Sequence, residues 1–358
     1  MSEPERSNDP AAPPGSCMRA EIHEQPAAIQ ATLEATAPAI RELANRLRRE
    51  GVEYVLIVAR GTSDNAALYG LYMFGAVTMK LAATAAPSLL TCYDTQVDLS
   101  KTFVLGVSQS GKATDVIEVL HAGRERGAIT CALTNTTDSP ICSAAEHVLL
   151  THAHEERAVA ATKTYTTALV VLHQLAALWA ERPDIADQVQ RAPGWIEEVL
   201  RLEPDVLDHA ERFRFMETCH WLARGLNFCT AREAALKMAE CCYVVPSPFS
   251  TADFMHGPIA TTDFGFPCFI VNPLGKTYAA VGEVVAAVEA HGAEIIMLSN
   301  ADEMLERSRI ALRLPSMPEE CSPMAAGVVG QLLALYIALE KGLDPDQPRG
   351  LRKVTQTL

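Results

Sequence analysis

Basic residues are scarce in this chain relative to acidic ones. Its 358 residues include 30 Lys and Arg against 44 Asp and Glu, which gives a formal charge of −14. So acidic a surface argues against binding of a nucleic-acid backbone or an anionic membrane through bulk charge. An anionic ligand would therefore need a local pocket that holds it against the field of the whole protein.

Disulfide and zinc patterns are also lacking, although the chain has ten cysteines. No C-x-x-C occurs, and most of the cysteines are scattered through apolar surroundings. Buried reduced thiols in a cytoplasmic protein are therefore predicted rather than a disulfide framework. The segment 152–156 (H-A-H-E-E) resembles metal ligands on an alternating strand, but a metal there is the less favoured interpretation. We predict neither a metal site nor a cofactor.

Signal peptides and membrane spans are missing as well. Residues 1–17 are polar and rich in Pro and Ala, which predicts a flexible tail rather than a secretion signal. The apolar stretch 66–90 is interrupted by Lys80 and Pro87, so its uncharged part is too short to span a bilayer. We interpret it as a buried helix followed by a strand. With 49% hydrophobic and 21% charged residues, the chain has the composition of a soluble globular protein.

Strand-like runs alternate with helical stretches in the first half of the chain. Residues 54–58 (Y-V-L-I-V) and 103–107 (F-V-L-G-V) each lead into a polar turn and then a helix. Residues 129–133 and 147–150 are further apolar runs of strand length. Strand, turn, helix and strand in this rhythm predict βαβ units and a parallel sheet flanked by helices.

The second half of the chain repeats the first. Residues 59–61 (A-R-G) recur 164 positions later, and V-S-Q-S-G-K at 107–112 recurs at the same offset as V-N-P-L-G-K. A third match, L-T-N against L-S-N, falls at an offset of 165. We therefore predict an α/β protein with two tandem doubly wound domains of flavodoxin-like or Rossmann-like type. The predicted divisions are a tail over 1–17, the N-terminal helix and first domain over 18–195, the second domain over 196–345 and a C-terminal tail over 346–358.

The two copies differ at the turn where a phosphate could bind. Ser108, Ser110 and Gly111 follow a strand of the first copy, where backbone N–H groups and a helix dipole favour an anion. The second copy has Pro273 and Leu274 at the matching turn, so it loses a donor and a hydroxyl. We predict a phosphate site in the first copy alone. The alternative is that the two serines only cap a helix.

Charged residues in the second copy are candidates for acid–base chemistry. Glu233, Lys237 and Glu240 fall on one face of a helix predicted to run from an N-cap at Thr230 to Cys242. Taken alone, that stripe is typical of a solvent-exposed row of salt bridges.

Two further segments carry groups of the same kind. Asp253 and His256 share a short loop, which suits proton transfer on a carbonyl substrate, although a lone His before Gly-Pro is usually a turn residue. Lys353 lies in a C-terminal tail, where a lysine is solvent-exposed unless the tail folds over a pocket and supplies an amine.

Six segments of the chain, taken in order, resemble the sugar isomerase (SIS) family. They are residues 18–26, 61–63 (G-T-S), 108–111 (S-Q-S-G), 159–163 (V-A-A-T-K), 233–258 (beginning E-A-A-L-K and ending H-G-P) and 347–353. The pattern is similar to the two-domain isomerase part of glutamine–fructose-6-phosphate aminotransferases and to their stand-alone relatives. The resemblance runs from about residue 18 to the C-terminus and implies an enzyme that acts on a phosphorylated sugar.

Residue roles follow from this resemblance. It implies substrate and phosphate contacts from Gly61, Thr62, Ser63, Ser108, Gln109, Ser110, Thr114, Val159 and Ala161. Glu240 matches the carboxylate that shuttles a proton between C1 and C2 of the open sugar, and Lys237 would help to keep it ionised. His256 matches a ring-opening histidine donated by the neighbouring subunit of a homodimer, and Lys353 matches a lysine that engages the keto-sugar carbonyl. This enediol chemistry implies no metal and no cofactor.

The departures from the family pattern concern the phosphate loop and its surroundings. After S-Q-S-G the family has Glu-Thr, whereas this chain has K-A-T-D, beginning at Lys112. The hydroxyl lost at Ala113 would have to come from Thr114 or be replaced by Lys112. This loop is more like that of the stand-alone amino-sugar phosphate deaminases. Arg60 stands where the aminotransferases have a small residue, and Ala161 replaces a serine.

We predict a glucosamine-6-phosphate deaminase that forms fructose 6-phosphate and ammonia, because no glutaminase domain precedes the SIS pair in this sequence. One alternative is an aldose–ketose isomerase, deaminase or deglycase that acts on another sugar phosphate. Another is a non-catalytic sugar-phosphate sensor. We expect a cytoplasmic homodimer that binds a phosphorylated amino sugar, with no nucleic-acid or membrane partner.

Overall fold

Short apolar strands form two separate sheets in the computed structural model, which describes residues 12–93 and 95–353. The first sheet contains β1 (Tyr54–Ala59), β2 (Leu81–Thr84), β3 (Thr102–Val107), β4 (Ile129–Thr134) and β5 (His147–Leu150). The second contains β6 (Thr218–Ala223), β7 (Val245–Ser250), β8 (Pro267–Val271), β9 (Glu294–Ser299) and β10 (Ile310–Arg313). The strand orders are β2-β1-β3-β4-β5 and β10-β9-β8-β6-β7, and the pairings in both sheets are parallel. Counted from its own first strand, the second sheet has the flavodoxin-like order of the first.

The repeat in the sequence is therefore a repeat of strands. β1 and β6 begin at residues 54 and 218, which are 164 positions apart. β4 and β9 begin at residues 129 and 294, which are 165 positions apart. The predicted α/β fold with two tandem doubly wound domains is confirmed.

Helices cover the sheets and connect their strands. In the first half they are α1 (Ser16–His23), α2 (Gln25–Arg49), α3 (Thr62–Met73), α4 (Ser88–Thr91), α5 (Thr114–Glu125), α6 (Pro140–Ala144) and α7 (Lys163–Trp179). They continue with α8 (Pro183–Gln188), α9 (Ala192–Leu200), α10 (Glu203–Ala210), α11 (Phe228–Cys242), α12 (Thr251–Met255), α13 (Tyr278–Ala290), α14 (Asp302–Glu306) and α15 (Ser322–Glu340). The predicted boundary between residues 195 and 196 falls inside α9, which packs against both α2 and α15.

The central strands β3 and β4 are largely apolar because both of their faces are covered, whereas the edge strand β2 is mostly exposed. Every residue of β3 and β4 is buried. Phe103 and Leu105 of β3 enter a large core cluster that extends through both domains, whereas Val104 enters a smaller cluster on the opposite face, with Val116 of α5. Strands buried on both faces lack the polar alternation of a half-exposed sheet.

Two helices are buried almost completely. α7 packs against α2 and α3, and α15 packs against α9, α10 and α11. Together with the turn before it, α15 forms the stretch Glu319–Glu340, which is long and apolar enough to cross a membrane by length and composition. However, 94% of its most apolar window is buried inside the protein, as expected of a core helix.

The two ends of the described chain are bound to each other. Asp346 accepts hydrogen bonds from the backbone N–H groups of Cys17 and Met18, at 2.9 and 2.8 Å, and Asp344 accepts one from Gly15 at 3.0 Å. The last residues of the predicted tail over 1–17 are thus the start of α1. Residues 1–11 and 354–358 of the two predicted tails lie outside the described part of the chain.

Two local predictions are wrong. Helix α11 begins at Phe228, so Thr230 lies in its first turn instead of at its N-cap. β5 ends at Leu150, and His152 and His154 follow in a loop with positive φ angles of 50° and 57°, so they do not alternate along a strand. Within residues 12–93 and 95–353, no group of three or more His, Cys, Asp or Glu could hold a metal ion.

The turn of the second domain that matches the phosphate loop is filled by a carboxylate. Glu319 accepts a hydrogen bond from the backbone N–H of Lys276 at 2.6 Å and one from the hydroxyl of Thr277, the N-cap of α13, at 3.0 Å. A Cβ at Gly275 would lie 2.4 Å from the Glu319 carboxyl group, so the loop fits closely around it. The Glu319 carboxylate thus occupies the position that is open in the matching turn of the first domain. This contact supports the prediction that only the first copy binds phosphate.

Glu319→Ala should destabilise the protein, because the Lys276 N–H and the Thr277 hydroxyl lose a charged acceptor. We expect the free energy of unfolding in urea to fall by about 1–3 kcal/mol. Glu319→Gln keeps an oxygen acceptor, so its free energy of unfolding should fall less. Glu306→Ala, at an exposed position of α14, is the matched control and should change stability by at most about 0.5 kcal/mol. Equal losses at positions 319 and 306 would contradict the stabilising role of Glu319.

Candidate active site

A cavity of about 360 Å³ lies between the first domain, helix α11 of the second domain and the C-terminal segment. Its lining includes eleven of the thirteen residues that the sequence analysis proposed for the site: Gly61, Thr62, Ser63, Ser108, Gln109, Ser110, Val159, Ala161, Lys237, Glu240 and Lys353. Thr114 and His256 do not line it. Residues nearly 300 positions apart in the sequence are thus brought to one site.

Two strand-to-helix turns of the first sheet form one end of the cavity. β1 leads through Gly61 into α3, and β3 leads through residues 108–111 into α5. β1 and β3 are neighbours where the strand order reverses, which is the usual ligand position in a doubly wound sheet. The free N–H groups at the start of α3 and its dipole favour an anion there. We refer to these two turns, residues 61–63 and 108–111, as the anion end.

Two glycines give these turns their shape. Gly61 has φ 58° and ψ −131°, a conformation that is costly for a residue with a Cβ. Gly111 has φ 66°, and a Cβ there would lie 2.1 Å from the hydroxyl oxygen of Ser139. Both turns therefore require glycine. Gly225, with φ 60°, keeps the Gly61 conformation in the second copy.

Ser108 and Ser110 of the anion end do not act as helix caps. Helix α5 begins at Thr114 after its N-cap Ala113, and no side chain caps it. The alternative of helix capping by Ser108 and Ser110 is therefore wrong, and both residues line the cavity. Thr62 differs from them, because its hydroxyl donates a hydrogen bond to Glu233 Oε1 at 3.1 Å. An anion would meet Thr62 through its backbone N–H.

A buried charge cluster on α11 contributes Lys237 and Glu240 to the lining of the same cavity. Lys237 Nζ lies 2.5 Å from Glu240 Oε2 and 3.6 Å from Glu233 Oε1, and all three residues belong to α11. The side chains of Lys237 and Glu233 are each 1% exposed, whereas that of Glu240 is 23% exposed. The interpretation of this stripe as solvent-exposed is wrong, because α11 packs this face against α3. We call Glu233, Lys237 and Glu240 the charge cluster.

Glu233 connects the two domains. Thr62 Oγ1 and Asn65 Nδ2 of α3 donate hydrogen bonds to its two carboxylate oxygens, at 3.1 and 2.8 Å. An ion pair of 3.1 Å between Arg232 and Asp64 joins the same two helices. Burying a carboxylate without such donors would be strongly unfavourable. These bonds therefore fix α11 relative to the anion end.

Burial shifts the pKa values of this cluster. Desolvation raises the pKa of Glu233 to about 7, against the charge of Lys237 and the hydrogen bond from Asn65. Desolvation alone would lower the pKa of Lys237, but the carboxylates of Glu233 and Glu240 raise it overall. The ammonium of Lys237 is therefore retained, and its shorter contact goes to Glu240. The longer contact with Lys237 compensates the negative charge of Glu233 less, in keeping with the raised pKa of Glu233.

A buried carboxylate, that of Glu156, holds the side chain of Lys353 at the cavity. Its Nζ donates hydrogen bonds to Glu156 Oε2 at 2.8 Å and to the carbonyl of Ala158 at 2.7 Å. Glu156 also accepts bonds from the backbone N–H groups of Thr162 and Thr164, at 2.9 and 3.1 Å. Although burial opposes ionisation, Lys353 and these donors lower the pKa of Glu156 overall.

The rest of the C-terminal segment is held over the cavity as well. The guanidinium of Arg349 lies 4.1 Å from the ring centroid of Tyr243, and the Tyr243 hydroxyl accepts a hydrogen bond from the Arg349 N–H at 2.7 Å. Beyond that anchor, Leu351 and Arg352 line the cavity beside Lys353. The described part of this tail is therefore packed instead of frayed.

Several residues near the site have positions that the sequence did not reveal. His256 is exposed at the end of α12, away from the cavity lining. Thr114 begins α5, and Lys112 is exposed, and neither lines the cavity. Arg60 does line it, and its Nε lies 2.5 Å from Asp115 Oδ2.

Three buried polar residues have roles that the sequence did not reveal. Asn65 was given no role, Asp115 entered only as the last residue of the K-A-T-D loop, and Glu156 entered only as part of a metal-like segment. Glu156 bonds to a lysine 197 positions away, so no local pattern could identify the pair. A usable signal existed for Glu233: most other positions of α11 are Ala, Met or Cys, which suggests a helix buried on several sides.

Comparison with known proteins identifies the family. The SIS domain model matches residues 52–178 and 219–341, one match in each domain. The chain belongs to the SIS domain family. It is 32% identical over 345 residues to the isomerizing glutamine–fructose-6-phosphate aminotransferase of Thermococcus kodakarensis, which covers 94% of this chain and 57% of that protein. This SIS protein thus spans somewhat more than half the length of the relatives it matches.

Solved structures of SIS proteins share its fold. A candidate phosphosugar isomerase from Silicibacter pomeroyi superimposes with a TM-score of 0.85 at 29% identity, over 92% of this chain and 99% of the other. The glucosamine-6-phosphate deaminase of Thermotoga maritima superimposes with a TM-score of 0.78 at 20% identity, over 96% of this chain and 100% of the other. At 20% identity, the similarity to the Thermotoga protein shows a common fold alone.

Glu233→Gln should change how stability depends on pH. The carboxyl ionises near pH 4.5 in the unfolded chain and near 7 in the folded protein, so the folded state binds the extra proton between these values. The wild type therefore loses stability as pH rises through this range, and the variant does not lose this contribution. We expect the variant to gain up to about 3 kcal/mol relative to the wild type between pH 4.5 and 7, measured by urea unfolding.

The control is Glu306→Gln, which should show no such pH-dependent difference because Glu306 is exposed. A stability difference between wild type and Glu233→Gln that stays constant with pH would contradict the raised pKa of Glu233.

Proposed function

We propose that this SIS protein deaminates an amino-sugar phosphate, with glucosamine 6-phosphate as the substrate, to fructose 6-phosphate and ammonia. One observation carries the proposal. A single cavity is lined both by residues of the anion end and by Glu240, Lys237 and Lys353. The anion end suits a phosphate group, and the charge cluster suits proton transfer at the opposite end of the sugar.

The reaction needs only acid–base groups. With the sugar open, Glu240 takes the proton from C2 while the carbonyl oxygen on C1 takes a proton from water, which gives an enolamine. The same carboxylic acid then returns the C2 proton to C1, and the nitrogen gives up one proton to water, which leaves an imine at C2. Water adds to the imine and ammonia leaves, so that one water is consumed for each fructose 6-phosphate and ammonia formed. Lys237, 2.5 Å from Glu240, stays charged and positions the carboxylate through both transfers.

Lys353 is proposed to act at the carbonyl end of the open sugar. Glu156 and the carbonyl of Ala158 hold its ammonium at the cavity wall, where it can donate a hydrogen bond to a sugar oxygen. Its side chain is 25% exposed, so it remains accessible from the cavity.

His256 is proposed to open the sugar ring in the cavity of a second subunit. Two observations support this role: the residue is exposed, and it does not line the cavity of its own chain. A two-fold symmetric dimer would then exchange one histidine in each direction.

Deamination is favoured over simple isomerisation by the loop that follows S-Q-S-G, whose K-A-T-D sequence resembles the stand-alone deaminases. The likeness in fold to the Thermotoga deaminase agrees with it. The second candidate is aldose–ketose isomerisation of another sugar phosphate, which the 29% identity to the Silicibacter protein favours. We expect the protein to act in the cytoplasm.

Glu240→Gln should abolish turnover and leave substrate binding intact, because the amide cannot carry the proton. The rate of ammonia release from glucosamine 6-phosphate should fall at least about 100-fold, while calorimetric affinity for the phosphosugar changes little. Ser108→Ala is the matched control at the anion end and should mainly raise KM. If the wild type releases no ammonia but interconverts an aldose and a ketose phosphate, isomerisation is correct. Binding without any turnover would instead indicate a sensor.

Mixing two inactive variants should restore activity if His256 acts across a dimer. Glu240→Gln and His256→Ala each remove one half of the machinery, and a mixed dimer contains one cavity with both groups. Random subunit exchange should recover about a quarter of the wild-type rate in a two-fold dimer. No recovery after proven subunit exchange would place His256 in the cavity of its own chain or outside catalysis.

A further inference from the structure

Arg60 is a charged residue that the family pattern does not account for. It directly precedes residues 61–63 of the anion end and lines the same cavity. Its side chain is 54% exposed, so the guanidinium is accessible to a ligand. At the same position of the second copy, Arg224 precedes Gly225, but there the neighbouring loop is filled by Glu319.

The anion end has lost a hydroxyl that other residues do not replace. Ala113 lines the cavity where the family has a threonine. The two candidates for its replacement, Lys112 and Thr114, do not line the cavity, and Lys112 is exposed. Arg60, which adjoins the turn at residues 61–63, is a charged residue that lines the same cavity.

A buried carboxylate orients the Arg60 guanidinium. Asp115, the second residue of α5, is 3% exposed, and its Oδ2 lies 2.5 Å from Arg60 Nε. The ion pair thus joins the two turns of the anion end, because Arg60 precedes one turn and Asp115 follows the other. Within residues 12–93 and 95–353, the two terminal amino groups of Arg60 have no hydrogen-bond partner in the protein. A guanidinium held through Nε keeps these donors for a planar pair of oxygens, such as those of a phosphate.

We propose that Arg60 binds the phosphate group of the substrate through its terminal amino groups, and that Asp115 is the positioning residue that holds it there. This inference rests on the proposed function, since it takes a phosphomonoester as the ligand. Arg60 supplies positive charge where serine hydroxyls and N–H groups supply only dipoles. In a chain of formal charge −14, it gives the anion end a local attraction for a doubly charged phosphate.

The test is calorimetric binding of inorganic phosphate, combined with steady-state kinetics on glucosamine 6-phosphate. Arg60→Ala should weaken phosphate binding about 10-fold or more. KM should rise by a similar factor while kcat changes little, because the phosphate lies away from C1 and C2. Arg60→Lys keeps the charge but not the planar fork and should give an intermediate affinity. Lys112→Ala is the matched control, a neighbouring cation outside the cavity, and should bind phosphate like the wild type.

The Asp115→Asn variant tests whether Asp115 acts by positioning the Arg60 guanidinium instead of by stabilising the fold. It should raise KM less than Arg60→Ala does, and the Arg60→Ala/Asp115→Asn double variant should bind phosphate no more weakly than Arg60→Ala. Equal phosphate affinity of wild type and Arg60→Ala, with both variants folded by circular dichroism, would overturn the proposal. So would a loss of affinity matched by Lys112→Ala, which would indicate general charge.

The outcomes distinguish this proposal from the proposed function. Phosphate binding that depends on Arg60, in a protein that releases no ammonia, would uphold the anion contact and reject the deaminase. Ammonia release that is insensitive to Arg60 would uphold the deaminase and reject the contact. A wild type that binds neither inorganic phosphate nor the phosphosugar would reject both.

Discussion

The buried carboxylate of Glu233 is the constraint on which the site depends. It lies between α3 of the first domain and α11 of the second, and it accepts hydrogen bonds from both Thr62 and Asn65. A charge at this depth is tolerated only with such partners, so the two helices cannot slide past each other without exposing or orphaning it. Because Lys237 and Glu240 follow on the same helix, this contact also fixes their position relative to the anion end.

The duplicated domain has been used asymmetrically. Both copies keep the same strand order and a glycine with positive φ in the turn after their first strand. In the first copy the turn after β3 opens into the cavity, whereas in the second the equivalent turn surrounds Glu319. The second copy contributes the charge cluster of α11 instead. One fold thus supplies an open turn in one copy and a charged helix face in the other, and the proposed function uses the first for binding and the second for proton transfer.

Local patterns predicted the fold and much of the site, because both depend on short segments. Strand positions followed from apolar runs, and the repeat fixed their correspondence in the two domains. Of the eleven proposed site residues that line the cavity, eight sit at strand ends or on one face of α11, whereas Val159, Ala161 and Lys353 lie in loop or tail segments. The sequence did not reveal which neighbouring element each helix face packs against. The stripe containing Glu233 looked exposed because its partner, α3, lies about 170 residues away, and the Lys353–Glu156 bond spans a still longer separation.

The C-terminal segment joins the cavity to the beginning of the chain. It is bound to Glu156 through Lys353 at one end, and to the first turn of α1 through Asp346 at the other. The free energy needed to open a segment locally includes that of the contacts that hold the segment in place. Under the proposed function, a ligand that draws Lys353 away from Glu156 removes one of them. Occupancy of the cavity would then be linked thermodynamically to the fraying of α1 and to hydrogen exchange of the Cys17 and Met18 amides, although neither residue lines the cavity.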